Sequence, residues 1–160
     1  VIFVTVGTQL PFDRMVRAID RWAAESVQPS DVFAQIGPSS YQPQHIRYKP
    51  FVGAGEFDRL VIQASVIVSH AGMGSILTAL THGKPIVIMP RRLQLNEQRN
   101  DHQLATAERF QGQPGVFVAA DELQLSCLLE QLSSLRGSVP LEPVAADALI
   151  IALRDFIDRS

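Results

Sequence analysis

Ser69-His-Ala-Gly-Met-Gly-Ser75 crowds a histidine, two glycines and two hydroxyls between two apolar runs. Val66, Ile67 and Val68 before it are β-branched and continuous, as suits a parallel strand covered on both faces. From Gly74 the period turns helical, with Ile76, Leu77 and Leu80 on one face. Gly83 and Pro85 stop that helix, and Ile86 to Met89 read as the next strand. A glycine-rich turn that opens a helix has a definite chemistry. The first N–H groups of a helix lack partners within it, and the helix dipole adds partial positive charge there. Gly72 and Gly74 let a bulky anion approach the main chain, and Ser75 adds a hydroxyl donor, so a phosphate or diphosphate is the natural guest. The competing reading is a plain tight strand-to-helix connection. The turn is not a P-loop, because no Gly-Lys-Ser/Thr follows at the required spacing, and it lacks the third glycine and later acidic residue of a dinucleotide fingerprint.

Other segments share its setting. Val1 to Val6 reads as a first strand, followed by the small-residue turn Gly7-Thr8-Gln9. Val32 to Ile36 reads as a second strand ending in Gln35-Ile-Gly-Pro38. The most polar stretch, Arg91 to Gln103, follows the strand that ends at Pro90. Ligand sites in parallel α/β sheets lie at the carboxyl ends of strands, where all four segments fall.

The elements that must hold them alternate along the chain. A helix carrying Met15, Val16, Ile19 and Trp22 follows Pro11, with those residues expected in the core, and Ser26 to Ser30 is a loop. Ile46 to Tyr48 is a short third strand, and a helix runs from about Glu56 to Ala64. A further helix is expected from Gln98 to Phe110, a strand at Val116 to Val118, and a helix from Glu122 to Leu135 capped by Asp121. A last helix after Pro143 carries Ala145, Leu149, Ala152, Leu153 and Phe156 as an apolar stripe. Strands alternating with helices predict an α/β fold, a Rossmann-like parallel sheet with helices on both faces, in a single domain over 1–160.

Composition sets limits. The 160 residues are 46% hydrophobic and 19% charged, values of an ordinary globular chain. A net charge of -2 argues against a nucleic-acid surface. The one cysteine, Cys127, excludes an internal disulfide framework and suits a reducing cytoplasm; it is expected as a small buried hydrophobe. The apolar runs near Leu60 and Pro85 are too short or interrupted to span a bilayer, and nothing at the start directs export.

Val4-Thr-Val-Gly-Thr-Gln, Ser69-His-Ala-Gly-Met-Gly-Ser-Ile-Leu, Gly83-Lys-Pro-Ile-Val-Ile-Met-Pro and Asn100-Asp-His-Gln-Leu resemble the UDP-sugar donor-binding domain of glycosyltransferase family 28. The resemblance covers nearly the whole chain, and the four motifs occur in the family's order. It is strongest to stand-alone donor subunits, which include that of the dolichol-linked N-acetylglucosamine transferase and bacterial exopolysaccharide counterparts. It implies the C-terminal half of a GT-B glycosyltransferase. By the same resemblance Gly72, Met73, Gly74 and Ser75 hold the diphosphate, with Gly7, Thr8 and Gln9 closing over it. Asp101 and Gln103, flanked by Asn100 and His102, match positions that contact the donor sugar, and Phe51 and Val52 match the uracil contact. His70 matches a histidine of the stand-alone subunits, with a catalytic role and a structural one both open. Thr78 replaces a glutamate that holds the ribose hydroxyls in several relatives. A threonine cannot accept a paired hydrogen bond as a carboxylate does, which points towards the exopolysaccharide branch.

The resemblance further implies an inverting transfer from a UDP-sugar, which is substrate rather than cofactor, to a lipid-linked sugar acceptor. No Asp-x-Asp motif is present, and the helix beginning at Gly74 offers backbone donors that would let the diphosphate depart without a metal. The base and the acceptor site are expected from a membrane-anchored partner subunit, docked partly through the last helix. The chain would then sit at the cytoplasmic face of the membrane without crossing it. A non-catalytic enhancer of a partner transferase and a UDP-sugar epimerase-like protein are the alternatives.

Overall fold

The computed structural model describes residues 1–26 and 31–158. Among the described residues, six strands form one parallel sheet: β1 (Ile2–Thr5), β2 (Val32–Gln35), β3 (Arg47–Lys49), β4 (Val66–His70), β5 (Ile86–Met89) and β6 (Val116–Val118). Their spatial order is β3-β2-β1-β4-β5-β6, so the chain builds outwards from β1 to one edge, then returns to build from β4 to the other. The order therefore reverses between β1 and β4. In an open parallel sheet, that reversal leaves a crevice at the carboxyl ends of the two strands, because their connections leave to opposite faces. Thr5 pairs in register with Ser69, so the turns after β1 and β4 leave the sheet side by side.

Among the described residues, six α-helices cover the sheet: α1 (Asp13–Glu25), α2 (Ala54–Gln63), α3 (Met73–Thr81), α4 (His102–Phe110), α5 (Glu122–Leu129) and α6 (Pro143–Asp158). Alternate strand residues feed two separate cores. Val4, Val68 and Val87 pack with Met15, Ile19 and Leu125 on one face. Phe3, Ile67 and Ile88 pack with Ile76, Leu80 and Phe110 on the other. Burial on both faces is why these strands read as unbroken apolar runs. Met15, Val16, Ile19 and Trp22 are all in the core, as their spacing predicts.

Several expected boundaries move. The helix expected from Gln98 begins at His102, because side chains in the preceding loop satisfy its backbone locally. Glu97 Oε1 accepts from Arg92 N at 3.1 Å, Asp101 Oδ1 from Leu93 N at 3.0 Å, and Asn100 Oδ1 from His102 N at 3.0 Å. Such bonds compete with helix formation. Asp121 caps α5, accepting from Gln124 N at 2.9 Å, but that helix stops at Leu129 and a 3₁₀ turn follows at Leu132–Ser134. Cys127 is exposed rather than buried. Leu125 and Leu129, four apart, take the inward face of α5 and turn the residue midway between them to solvent. In α3, Ala79 joins Ile76 and Leu80 in the core while Leu77 is only half-buried. In α6, Leu149 packs against the second core, and Ala145 and Ala152 are exposed. The expected contributions of Leu153 and Phe156, and the loop at 27–30, lie outside the described residues.

The segment that delivers β3 is tied to α1 by one buried carboxylate. Asp20, 2% exposed, accepts from Tyr41 Oη at 2.5 Å, from His45 N at 2.8 Å and from Gln44 N at 3.1 Å. Burial pushes its pKa up, but these hydrogen bonds to the charged form win and hold it below the usual carboxylate value. Asp20→Ala would strand three donors at once. Denaturant unfolding of that variant should show a loss of roughly 2–3 kcal/mol; an unchanged midpoint would mean the tie carries no weight.

Candidate functional site

A cleft of about 430 Å³ opens where the strand order reverses. Of the expected residues, Gly7, Thr8, Gln9, His70, Gly72, Gly74, Ser75 and Gln103 line it together. The hollow of about 490 Å³ between α1 and α5 is larger. It is lined by none of the residues in the turns after β1 and β4, and its arginines and glutamates partly neutralise each other, as Arg14 does with Glu97 and Glu122. The strand-end cleft is the better candidate because a helix terminus opens into it.

That terminus belongs to α3. Its N-cap is Gly72, and no side chain caps it, so the N–H groups of the first turn point outwards without an intrahelical partner. A methyl group added at Gly74 would meet nothing within 4 Å, which leaves this side of the turn open to a ligand. Thr78 Oγ1 donates back to the Gly74 carbonyl at 2.8 Å, so its hydroxyl is engaged within its own helix.

Gly72 and Gly7 have another task. A Cβ on Gly72 would lie 2.2 Å from His70 Cε1, and one on Gly7 would lie 2.9 Å from His70 Nε2. The imidazole is clasped between two glycine backbones, and Gly7 also has φ +78, which disfavours any side chain. Gln35 Nε2 supports the clasp, donating to the Gly7 carbonyl at 3.1 Å.

Behind the cleft, Gln103 on α4 is 7% exposed. Its Oε1 accepts from Ala71 N at 3.2 Å and from Arg91 N at 3.0 Å, and its Nε2 lies 3.0 Å from His70 Nδ1. Arg91 is 2% exposed. Its guanidinium donates to the carbonyls of Val6 at 2.5 Å, Leu10 at 2.7 Å and Pro11 at 2.7 Å, and stands 5.0 Å from the Phe12 ring centroid. Burial lowers its pKa to about 10, with Glu97 opposing, so it remains a cation at neutral pH. Burial first, and the Arg91 charge second, push His70 down to about 4. His70 is therefore neutral near pH 7.

Other expected residues lie apart. Asn100, Asp101 and His102 sit in the loop before α4 and at its first turn, outside the cleft wall. Phe51, 51% exposed, and half-buried Val52 follow β3, two strands away from the cleft. Met73 begins α3 but does not line the cleft. Sequence reasoning missed Arg91 and Gln98 as cleft residues. Arg91 is one of two adjacent arginines in a polar loop, and only tertiary contact distinguishes it from half-buried Arg92. Among the described residues, no three His, Cys, Asp or Glu side chains converge as metal ligands.

The parallel sheet, its reversal and the open helix terminus at that reversal define a Rossmann-like domain of the kind that forms the C-terminal half of GT-B glycosyltransferases. The chain belongs to the glycosyltransferase family 28 C-terminal domain family, whose sequence pattern matches residues 1–144. It is 30% identical over 135 residues to the mouse UDP-N-acetylglucosamine transferase subunit ALG13, covering 78% of this chain and 11% of that protein. The human ALG13 subunit is 29% identical over 128 residues, covering 72% of this chain and again 11% of the relative. The chain thus spans about a tenth of the length of these curated relatives. Among solved structures, ALG13 in solution aligns with a TM-score of 0.62 at 18% identity, covering 88% of this chain and 89% of that one. MurG of Acinetobacter baumannii aligns at 0.63 and 16% identity, covering 96% of this chain and 49% of its own. These two likenesses establish the fold.

The depressed His70 pKa has a consequence for stability. An unfolded histidine takes up a proton below about 6.5, whereas the folded ring resists until about 4. Stability from this group is full above the unfolded value and falls as pH drops through that window, by roughly 3 kcal/mol in all. Chemical denaturation of wild type and His70→Asn across the window should give a shallower fall in the variant. Parallel curves would refute the shift.

Proposed function

We propose that this chain is the donor-binding part of an inverting, metal-independent glycosyltransferase that uses a UDP-sugar. The observation that carries this reading is the uncapped first turn of α3, open at Gly74, facing the cleft at the sheet's reversal. Backbone N–H groups and the helix dipole there suit a diphosphate, both bound and departing. The Gly7–Gln9 turn borders the same cleft, and Ser75 adds a hydroxyl. By family resemblance this reading assigns the uracil to Phe51 and Val52, the ribose to Thr78 and the donor sugar to Asn100 to Gln103, of which only Gln103 lines the cleft. Family membership and the UDP-N-acetylglucosamine transferase subunits among the relatives support the donor class.

The acceptor hydroxyl needs a base on the opposite side of the sugar. No carboxylate lines the described cleft, and its one histidine is neutral with a strongly lowered pKa. The reading therefore assigns the base, and a lipid-linked acceptor in exopolysaccharide or glycolipid synthesis, to a membrane-anchored partner subunit. The relatives' designation as subunits supports a partner. No helix among the described residues is long and apolar enough to cross a membrane; the reading puts the chain on the cytoplasmic side through that partner. α6 is its candidate docking element, since Ile151 on that helix is 62% exposed.

Thermal-shift titration with UDP, ADP, GDP and UDP-sugars tests the donor site. At a hundredfold excess over Kd a ligand adds about 2.7 kcal/mol, which raises the midpoint by about 5–10 °C in a chain of this size. A UDP-selective shift is expected. Gly74→Ala should raise the midpoint of the free protein, by up to about 1 kcal/mol of helix propensity, and yet weaken UDP. No nucleotide response, from the chain alone or co-expressed with its partner, would overturn the reading.

A further inference from the structure

The contacts of Gln103 decide more than where its own side chain lies. An amide oxygen and nitrogen are easily exchanged when a glutamine is placed, but here two backbone N–H groups settle the matter. Ala71 N and Arg91 N can only donate, and both point to the same amide atom, at 3.2 Å and 3.0 Å. That atom must be the oxygen. The other end of the amide, 3.0 Å from His70 Nδ1, is then an NH₂ group, which can only donate. Nδ1 must accept, so it carries no proton. In a neutral imidazole the proton is then on Nε2. Nε2 lies between Gly7 and Gly72 in the wall of the cleft, with no hydrogen-bond partner among the described residues.

We propose that Gln103 is a positioning residue that locks His70 in its Nε2–H tautomer, making the ring a fixed hydrogen-bond donor into the cleft and disqualifying it as the base. The lock is built from three elements. β4 supplies His70, with Ala71 N just after it, Arg91 N follows β5, and α4 brings the amide. Protonating Nδ1 would set N–H against NH₂, and the buried Arg91 cation opposes a second positive charge nearby. A ring that cannot readily accept a proton still stabilises negative charge through its N–H. The identity of that charge, a diphosphate oxygen, rests on the function proposed above; the tautomer does not. Gln103 thus has a task within the protein, distinct from the sugar contact that family resemblance implies for it.

The test begins on the free chain. Long-range ¹H–¹⁵N correlation of ¹⁵N-histidine-labelled protein, with His70 assigned by loss of its signals in His70→Asn, reports which ring nitrogen bears the proton. Near neutral pH, His70 should show a protonated Nε2 and a bare Nδ1, without averaging. A protonated Nδ1, or averaged signals, would overturn the proposal on the wild type alone. Gln103→Glu keeps an oxygen for both backbone donors but presents a carboxylate oxygen to Nδ1. It should move the proton to Nδ1 and raise the ring's pKa. UDP affinity of this variant should fall about tenfold at mildly alkaline pH. It should recover on acidification, when the doubly protonated ring regains its Nε2–H. A loss equal at every pH would mark Gln103 as merely structural and overturn the coupling. If UDP binds neither protein, the donor reading fails, while the ring spectrum still decides the tautomer.

Discussion

Arg91 leaves the end of β5 and turns its guanidinium beneath the segment that follows β1, where the carbonyls of Val6, Leu10 and Pro11 accept from it. Much of the cleft depends on this buried cation. Turns after parallel strands have no ladder to hold them, and backbone carbonyls withdrawn from water need donors. One planar guanidinium supplies several in fixed directions and keeps its charge when partly desolvated. The Gly7–Gln9 turn is thereby held against the turn that follows β4. The same charge helps keep His70 neutral, so scaffold and electrostatics share one group.

The clasp around His70 shows how the site divides its glycines. Gly74 leaves the start of α3 open on the cleft side, whereas Gly72 and Gly7 have no room for a side chain because the imidazole fills it. A turn that looks uniformly permissive in one dimension is specialised residue by residue in three. The ring is confined by backbone on two sides and by Gln103 at Nδ1. Its freedom to reorient is correspondingly small, which is what a preorganised donor requires.

On the function proposed above, the cleft is half of a reaction centre. Its described lining offers backbone N–H groups, amides, two hydroxyls and a buried cation, all suited to receiving negative charge. It contains no carboxylate. On the function proposed above, a cleft suited to a departing diphosphate but without a carboxylate in its described lining would be completed by a second surface.

The alternation of apolar strands with amphipathic helices, the glycine turn after β4 and the small-residue turn after β1 were all legible from periodicity and residue type. So was the core placement of Met15, Val16, Ile19 and Trp22, because local spacing decides which residues share a face. Cys127 and the start of α4 were not. The first depended on which neighbours on α5 face the sheet, the second on side chains that satisfy the loop's backbone before a helix can claim it. Family resemblance could propose His70 and Gln103 as site residues. It could not show that they touch, since they are 33 positions apart and meet only because α4 packs behind the ends of β4 and β5. Nor could sequence separate Arg91 from Arg92, whose types are identical and whose burial differs. Sequence by itself determined the elements and the chemistry of the turns, because those depend on near neighbours. Tertiary structure alone decided the hydrogen-bond partners, and with them the protonation of the ring, because such bonds join groups that the chain keeps far apart until it folds.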